Sequence, residues 1–255
     1  MERLRGIVLR TVKYGDGGHI VDMYTNARGR MSFMMKRTAA GSTGRTRRSS
    51  RVLPSCLLPL SMLEFDCDIH GQARLPQPKD VRPYHVCMNT QTNPVKGIIT
   101  MFVAEFLQNA LKDEAASPLL YEYIEDSLKW LDGCERGYAN FHLVFLIRMT
   151  RFLGIYPSLD KANESSGWHH EHLYYYDLMN SEYRLGQPNH PHYLKPDEAS
   201  RIPYLLYMDY ENMHLYRFSR HQRTRCLEVI NDYYRLHLPG FGELKSLEVF
   251  KELFD

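Results

Sequence analysis

No stretch of this 255-residue chain approaches the roughly 20 consecutive apolar residues that a membrane-spanning helix needs. The opening segment, MERLRGIVLRTVKY, alternates charged and apolar side chains and lacks the continuous apolar core of a secretory signal. A cytoplasmic location, with no membrane partner, is the expectation. Cysteine is scarce. Cys56, Cys67, Cys87, Cys134 and Cys226 are odd in number and widely scattered, and no two form a C-x-x-C. Neither a disulfide framework nor a thiolate zinc site is indicated, and free buried thiols are the simplest reading.

Catalytic signatures are missing too. There is no G-x-S-x-G elbow and no H-E-x-x-H. GSTGRT at 41–46 has the glycines of a phosphate loop, but not the lysine of G-x-x-x-x-G-K-[ST] nor a helix to follow it. Histidines gather at His169, His170 and His172, and again at His190 and His192. The first group is too tight for metalloprotease geometry and has no thiolate near it, so a His-rich surface hairpin is expected and no metal. Glu105 falls on the apolar side of a helical pattern; a buried carboxylate needs a partner, and Arg148 or Arg151 would serve. No residues form a catalytic pair. The chain reads as a non-enzyme without a cofactor.

The most informative absence is local. Residues 36–51, KRTAAGSTGRTRRSSR, hold Lys36, Arg37, Arg45, Arg47, Arg48 and Arg51 and not one acid. Such charge neutralises phosphates and releases counterions without reading sequence. Ser42, Thr43, Thr46, Ser49 and Ser50 can donate to phosphate oxygens, and Gly41 and Gly44 let the backbone follow a ligand. The bias is regional. Residues 1–95 carry 15 Lys and Arg against 7 Asp and Glu, a surplus of eight; residues 96–255 carry 17 against 23, a deficit of six. A basic N-terminal module for a polyanion is implied. Lys13 extends the charge, and Tyr14, Tyr24 and Phe33 are candidate platforms for stacked bases.

Hydrophobic periodicity divides the chain. GIVLRTVKYG places Val8, Arg10, Val12 and Tyr14 on one strand face; HIVDMYT, a turn at NARG, MSFMMKR, LLPLSMLEFD and a weaker RLPQPKDVRPYH follow. Five short strands in under 90 residues suggest a small barrel of the OB type. The period then becomes helical. Asn93-Pro94 and Ser117-Pro118 are cap-and-first-turn pairs, Ile98, Met101, Phe102, Glu105, Phe106 and Leu111 fall at helical spacing, and Leu120, Ile124, Leu128 and Leu131 line one face of the next helix. A buried helix stops at Gly154 and Pro157, Pro203 interrupts the next segment, and a last long helix ends at Pro239-Gly240. The fold class is α+β: a five-stranded OB barrel over 1–88, then a helical domain over 89–255 with an irregular insertion at 158–196 containing a hairpin that turns at Asn180-Ser181.

GIVLRTVKYGDGGHIVDMYTNARGRMSFMMKR resembles the opening of the RecO family of bacterial recombination mediators, and LLPLSMLEFD resembles that family's next strand. FVAEFLQNAL, FLIRMTRFLGIYPSLD with its L-G-x-x-P-x-L corner, and RLHLPGFGELKSLEVFKEL resemble its helical domain. The wording is most similar to that of members from the Bacteroides group. The resemblance implies binding of single- and double-stranded DNA and annealing of complementary strands. It implies work with a RecR-type partner, contact with the acidic C-terminal tail of single-strand-binding protein, and loading of recombinase onto coated strands, in association with the nucleoid. Arg148, Arg151, Arg220, Arg223 and Arg225 are the candidates for receiving that tail. Many relatives carry a four-cysteine zinc knuckle after the L-G-x-x-P corner; here DKANESSGWHHEHLYYYDLMN has no cysteine, and packing by Tyr174, Tyr175 and Tyr176 is expected in its place. An RNA-binding OB protein and a protein-interaction scaffold are the alternatives.

Overall fold

The computed structural model describes residues 1–15, 18–37, 51–52, 54–69, 75–112, 114–159 and 174–253. The chain forms two compact units. One comprises Met1–Cys134 with Glu243–Leu253, and the other Glu135–Gly242. The unit that carries the barrel strands thus reaches past residue 88 and takes in the first three helices and the last.

Its sheet is built from β1 (Glu2–Tyr14), β2 (Gly18–Thr25), β3 (Gly29–Arg37), β4 (Arg51–Val52), β5 (Met62–Cys67) and β6 (Lys79–His85), in the order β4-β3-β2-β1-β5-β6. All neighbours are antiparallel except β3 and the two-residue β4. The Met34 amide donates to the Pro76 carbonyl at 2.9 Å, tying β3 to the segment that leads into β6. Five antiparallel strands in this order, joined across their outer members, are OB-like. The long β1 serves both sides: its first half pairs with β5 from Glu2↔Cys67 to Ile7↔Met62, and its second half with β2 as far as Tyr14↔Gly18.

Leu4, Val8, Val21, Met23, Phe33, Met35, Leu63, Phe65 and Cys67 fill the barrel interior. A bulge at Leu9 breaks the simple alternation read from β1: Val8 pairs with Met23, but Arg10 pairs with Asp22. Val8 therefore turns inward, while Arg10, Val12 and Tyr14 stay on the outer face. Ile7, Leu9 and Tyr24 also lie on the outer side, yet they are fully buried. On β1 this side is covered by α2 (Pro94–Ala110), whose Gln108 side chain donates to the Leu9 carbonyl at 2.8 Å and whose Gln108 carbonyl accepts from Arg30 at 2.8 Å; Tyr24 lies under the 115–117 segment.

The turn between β2 and β3 requires its glycine. Gly29 has φ +65°, and a Cβ there would stand 2.9 Å from the Ala116 backbone nitrogen. Thr25 Oγ1 donates to the Gly29 carbonyl at 2.8 Å and accepts from the Arg28 amide at 3.1 Å. Gly29→Ala is expected to destabilise this unit by about 1–3 kcal/mol, from the left-handed backbone and the displaced 115–116 segment together. Urea unfolding checks it; an unchanged midpoint would show that the segment yields freely.

The helical starts follow the sequence. Asn93 Oδ1 accepts from the amides of Val95 and Lys96 at 3.0 and 3.2 Å with Pro94 in the first turn of α2, and Ser117 Oγ accepts from Leu120 at 3.3 Å ahead of Pro118 in α3 (Pro118–Gly133). Between β6 and α2 lies the short α1 (Met88–Thr92). The buried side of α2 differs from the expected one. Ile99, Phe102, Val103, Phe106 and Leu107 are buried and Met101 is 64% exposed, because two surfaces compete for this helix: β1 and, from the far end of the chain, α8 (Ser246–Leu253). Phe102 meets Phe250 at 4.9 Å. Glu105 has no need of the expected arginine, since its two carboxylate oxygens accept from the amides of Lys245 and Ser246 at 2.9 and 2.7 Å, at the start of α8.

In the second unit α4 (Phe141–Phe152) is buried nearly all round, and α7 (Arg220–His237), opened by a Ser219–Gln222 capping box, packs on it. Tyr234 Oη donates to the Leu146 carbonyl at 2.7 Å. The segment breaks at Ser200–Arg201, between α5 (Pro196–Ala199) and α6 (Ile202–Tyr207), and Pro203 lies in the first turn of α6. The expected hairpin is present as β7 (Tyr174–Asp177) and β8 (Glu182–Leu185), with β9 (Tyr193–Leu194) on the other side of β7. Tyr174 and Tyr176 are buried, while Tyr175 is half-buried against Tyr193. Asp177 builds the turn, accepting from the amides of Met179 and Asn180 at 2.9 and 3.0 Å and from the Asn180 side chain at 2.9 Å. Burial pushes its carboxyl up, but these bonds and the nearby His190 outweigh burial and hold it below the usual range.

Candidate nucleic-acid interface

The register of four strands gathers the basic residues at one end of the sheet. Tyr14 pairs with Gly18, Gly18 with Lys36, and Lys36 with Arg51. At roughly 4.8 Å between neighbouring strands, this row is about 14 Å wide. Lys13 and Arg37 occupy the adjoining positions on β1 and β3. The two ends of the basic block are therefore held side by side by the parallel β3–β4 pair. Arg45, Arg47 and Arg48, between those ends, lie outside the described residues, as do His169, His170 and His172.

Behind the row, the outer face stays open where α2 does not cover it. Val12, Ile20 and Met34 stand opposite one another on β1, β2 and β3, with Val12 40% and Tyr14 57% exposed. Arg10, Lys13 and Lys36 are exposed and have no carboxylate partner among the described residues. Four other cations of this sheet are neutralised: Arg28 by Glu2 at 2.7 Å, Arg30 by Asp22 at 3.7 Å, and Arg3 and Arg82 by Glu64; Arg5 lies over the Tyr84 ring at 4.8 Å. Arg3 first, and then Arg82, hold the Glu64 carboxyl below its ordinary value. An apolar strip ending in an aromatic ring and unpaired cations suits bases against the strip and phosphates at its margin.

Two of the expected stacking platforms are corrected by their burial. Phe33 is inside the barrel, edge-on to Phe65 at 4.9 Å. Tyr24 is fully buried beneath the 115–117 segment, its hydroxyl donating to the Ala115 carbonyl and accepting from the Ser117 amide, each at 3.3 Å. Neither ring can meet a base. Tyr14 alone of the three is accessible. Arg10, Val12, Ile20 and Met34 were not among the expected contacts, although period-two spacing already put Arg10 and Val12 on the face of Tyr14.

The five arginines of the second unit differ in their freedom. Arg225 makes a two-pronged pair with Glu198 at 2.6 and 3.2 Å, and Arg223 donates to Asn140 Oδ1 at 3.2 Å and to the Phe218 carbonyl at 3.4 Å. Arg148 lies 3.9 Å from Asp209 and over the Tyr210 ring at 5.7 Å; Arg151 lies over Tyr156 at 4.4 Å. Arg220 is exposed in the first turn of α7 and has no carboxylate partner among the described residues. All five cysteines are free thiols, and burial pushes Cys87 and Cys226 up to about 11, which leaves them weak nucleophiles at neutral pH.

Comparison with known proteins accounts for both units. The family model described as Recombination protein O N terminal matches residues 1–77, and that described as Recombination protein O C terminal matches residues 91–248. The chain belongs to the RecO family. Its relatives include the DNA repair protein RecO of Phocaeicola vulgatus, 44% identical over 254 residues, which cover 100% of this chain and 99% of that protein. The DNA repair protein RecO of Bacteroides fragilis is 40% identical over 256 residues, covering 100% of both, and that of Porphyromonas gingivalis 29% identical over 252 residues, covering 98% of both. The RecO N-terminal match spans β1 to β5 and so the entire basic row; the RecO C-terminal match holds all five arginines. The family is one of recombination and DNA repair proteins. Among the described residues no helix is long and apolar enough to cross a membrane.

Proposed function

We propose that this protein is a recombination mediator that grips single- and double-stranded DNA through the phosphate backbone and anneals complementary strands. The observation that carries the reading is the row Tyr14–Gly18–Lys36–Arg51, which holds both ends of the acid-free stretch 36–51 beside an open apolar face. Membership of a recombination family supports DNA as the polyanion. Neutralising two strands removes the repulsion between them, and contacts to phosphate leave base edges free to pair. No bond is made or broken. In recombinational repair the same activity would help load recombinase onto coated strands, with a RecR-type partner and the acidic tail of single-strand-binding protein. Arg220, uncommitted to a carboxylate, is the first of the five arginines to assign to that tail.

The test is annealing of two complementary labelled oligonucleotides, bare and coated with single-strand-binding protein. Pairing should accelerate in both cases, with no dependence on base sequence. Acceleration of neither would reject the reading, and stronger competition by matched RNA than by DNA would move the protein to RNA. Tyr14→Ala separates stacking from folding. It should leave stability within about 0.5 kcal/mol, as a surface change, while weakening binding of a single strand by about 1–3 kcal/mol, the range for one stacked base. Equal binding by both forms in fluorescence anisotropy would remove Tyr14 from the interface.

A further inference from the structure

His85 ends β6, Cys87 caps α1, and Asp132 lies in the last turn of α3. One ligand atom from each, an imidazole nitrogen, a thiol sulfur and a carboxylate oxygen, falls within 4.8 Å of the other two. A tetrahedral ion with bonds of about 2.0–2.3 Å sets its ligand atoms roughly 3.5 Å apart.

The surroundings are those of a built site. The Asp132 carboxylate is oriented by Thr90, whose amide and hydroxyl donate to Oδ1 at 2.7 and 2.9 Å. The Asp132 main-chain carbonyl is held by Asn89 Nδ2 at 3.1 Å and by Lys96 Nζ at 2.9 Å. Nε2 of His85 is buried and has no hydrogen-bond partner among the described residues. A buried polar atom left in that condition costs free energy that a bound ion would recover. His85 and Cys87 also line a cleft of about 880 Å³ whose walls include Leu58, Met62, Met88 and Met101.

We propose that His85, Cys87 and Asp132 form a site for a divalent transition ion of the zinc type. One nitrogen, one sulfur and one oxygen donor suit a borderline cation and a tetrahedral arrangement, not magnesium or calcium, which prefer oxygen alone. A thiolate and a carboxylate balance the charge of the dication, which takes the place of the thiol proton. Three protein ligands leave the fourth position for water or for a donor entering from the cleft. The ion would link the end of β6 to α1 and α3, inside the unit that carries the nucleic-acid face.

Cobalt(II) is the probe, because a tetrahedral cobalt thiolate shows visible d–d bands and a near-ultraviolet charge-transfer band. Titration of the full chain should show both, saturating at one ion per chain and reversed by zinc, and zinc should raise the melting temperature. Cys87→Ser should abolish the charge-transfer band and His85→Asn the tight binding, while Cys56→Ser and Cys134→Ser keep both. Thr90→Val, which removes the hydroxyl of the two donors that orient the carboxylate and leaves every ligand in place, should weaken affinity by about 10–100-fold. Melting of the metal-free variants, compared with the metal-free parent, separates loss of the site from loss of fold. Absence of a tetrahedral spectrum would overturn the proposal. So would a thiolate band that survives Cys87→Ser, or binding that only the triple variant His169→Ala, His170→Ala, His172→Ala removes.

Discussion

Reversing Arg45, Arg47 and Arg48 together to Glu is expected to lower affinity for a single strand roughly 100-fold at about 0.1 M salt and to flatten the salt dependence. The magnitude follows from counterion release. Each phosphate contact on a single strand contributes about −0.7 to the slope of log affinity against log salt, so three lost contacts reduce it by about 2. Affinity that scales with the inverse square of salt is worth two decades at about 0.1 M. Repulsion from three new carboxylates adds to the loss. The block can act as a unit because Lys36↔Arg51 and Arg37↔Val52 fix its two ends next to each other, beside Tyr14. Arg28→Glu is the matched control. Arg28 lies at the β2–β3 turn, the opposite end of these strands, and is already paired with Glu2. It should leave the slope nearly unchanged. A slope that does not move on triple reversal takes these three arginines out of the interface, whatever the affinity does.

What could be read from the sequence was what the local chain decides. Asn93-Pro94 and Ser117-Pro118 started helices as their chemistry requires, Pro203 stands in the first turn of α6 after the break in its segment, and Gly154 follows the end of α4 with a positive φ. The strands and the OB-like class followed from alternation and turn residues. What failed depended on covers that arrive from elsewhere. Tyr24 looked like a rim aromatic until the 115–117 segment closed over it, and Phe33 until Phe65 met it across the barrel. Met101 was assigned to the buried side of α2, but that side is chosen jointly by β1 and by α8, nearly 150 residues downstream. The bulge at Leu9 leaves no mark in residue type, yet it moves Val8 inward and so defines which part of β1 is free for a ligand. The same limit hid His85, Cys87 and Asp132. Their spacing matches no metal motif, because the third member joins only when α3 packs beside α1.

Lowering the pH from neutral to about 4.5 is expected to cost the second unit roughly 2–3 kcal/mol through one residue, His142. It sits in the first turn of α4, fully buried, and burial first and the Arg223 guanidinium second push its imidazole down to about 3. Arg223 cannot withdraw easily, since it is held by Asn140 and by the Phe218 carbonyl. In the unfolded chain the imidazole returns to an ordinary value of about 6.5. Below that pH the unfolded state binds a proton that the folded state refuses, so stability is intact above about 6.5 and falls as the pH drops toward about 3. Each pH unit in that interval costs about 1.4 kcal/mol, and the whole interval on the order of 4–5 kcal/mol. Urea unfolding at several pH values measures the slope, with His142→Gln as the comparison because its amide stays neutral throughout. The variant can be less stable at neutral pH without affecting the argument; it is the added acid sensitivity of the parent that should vanish. Parallel stability curves for parent and variant between neutral pH and about 4.5 would mean that the imidazole is reached by water, or protonates in place, before the unit unfolds.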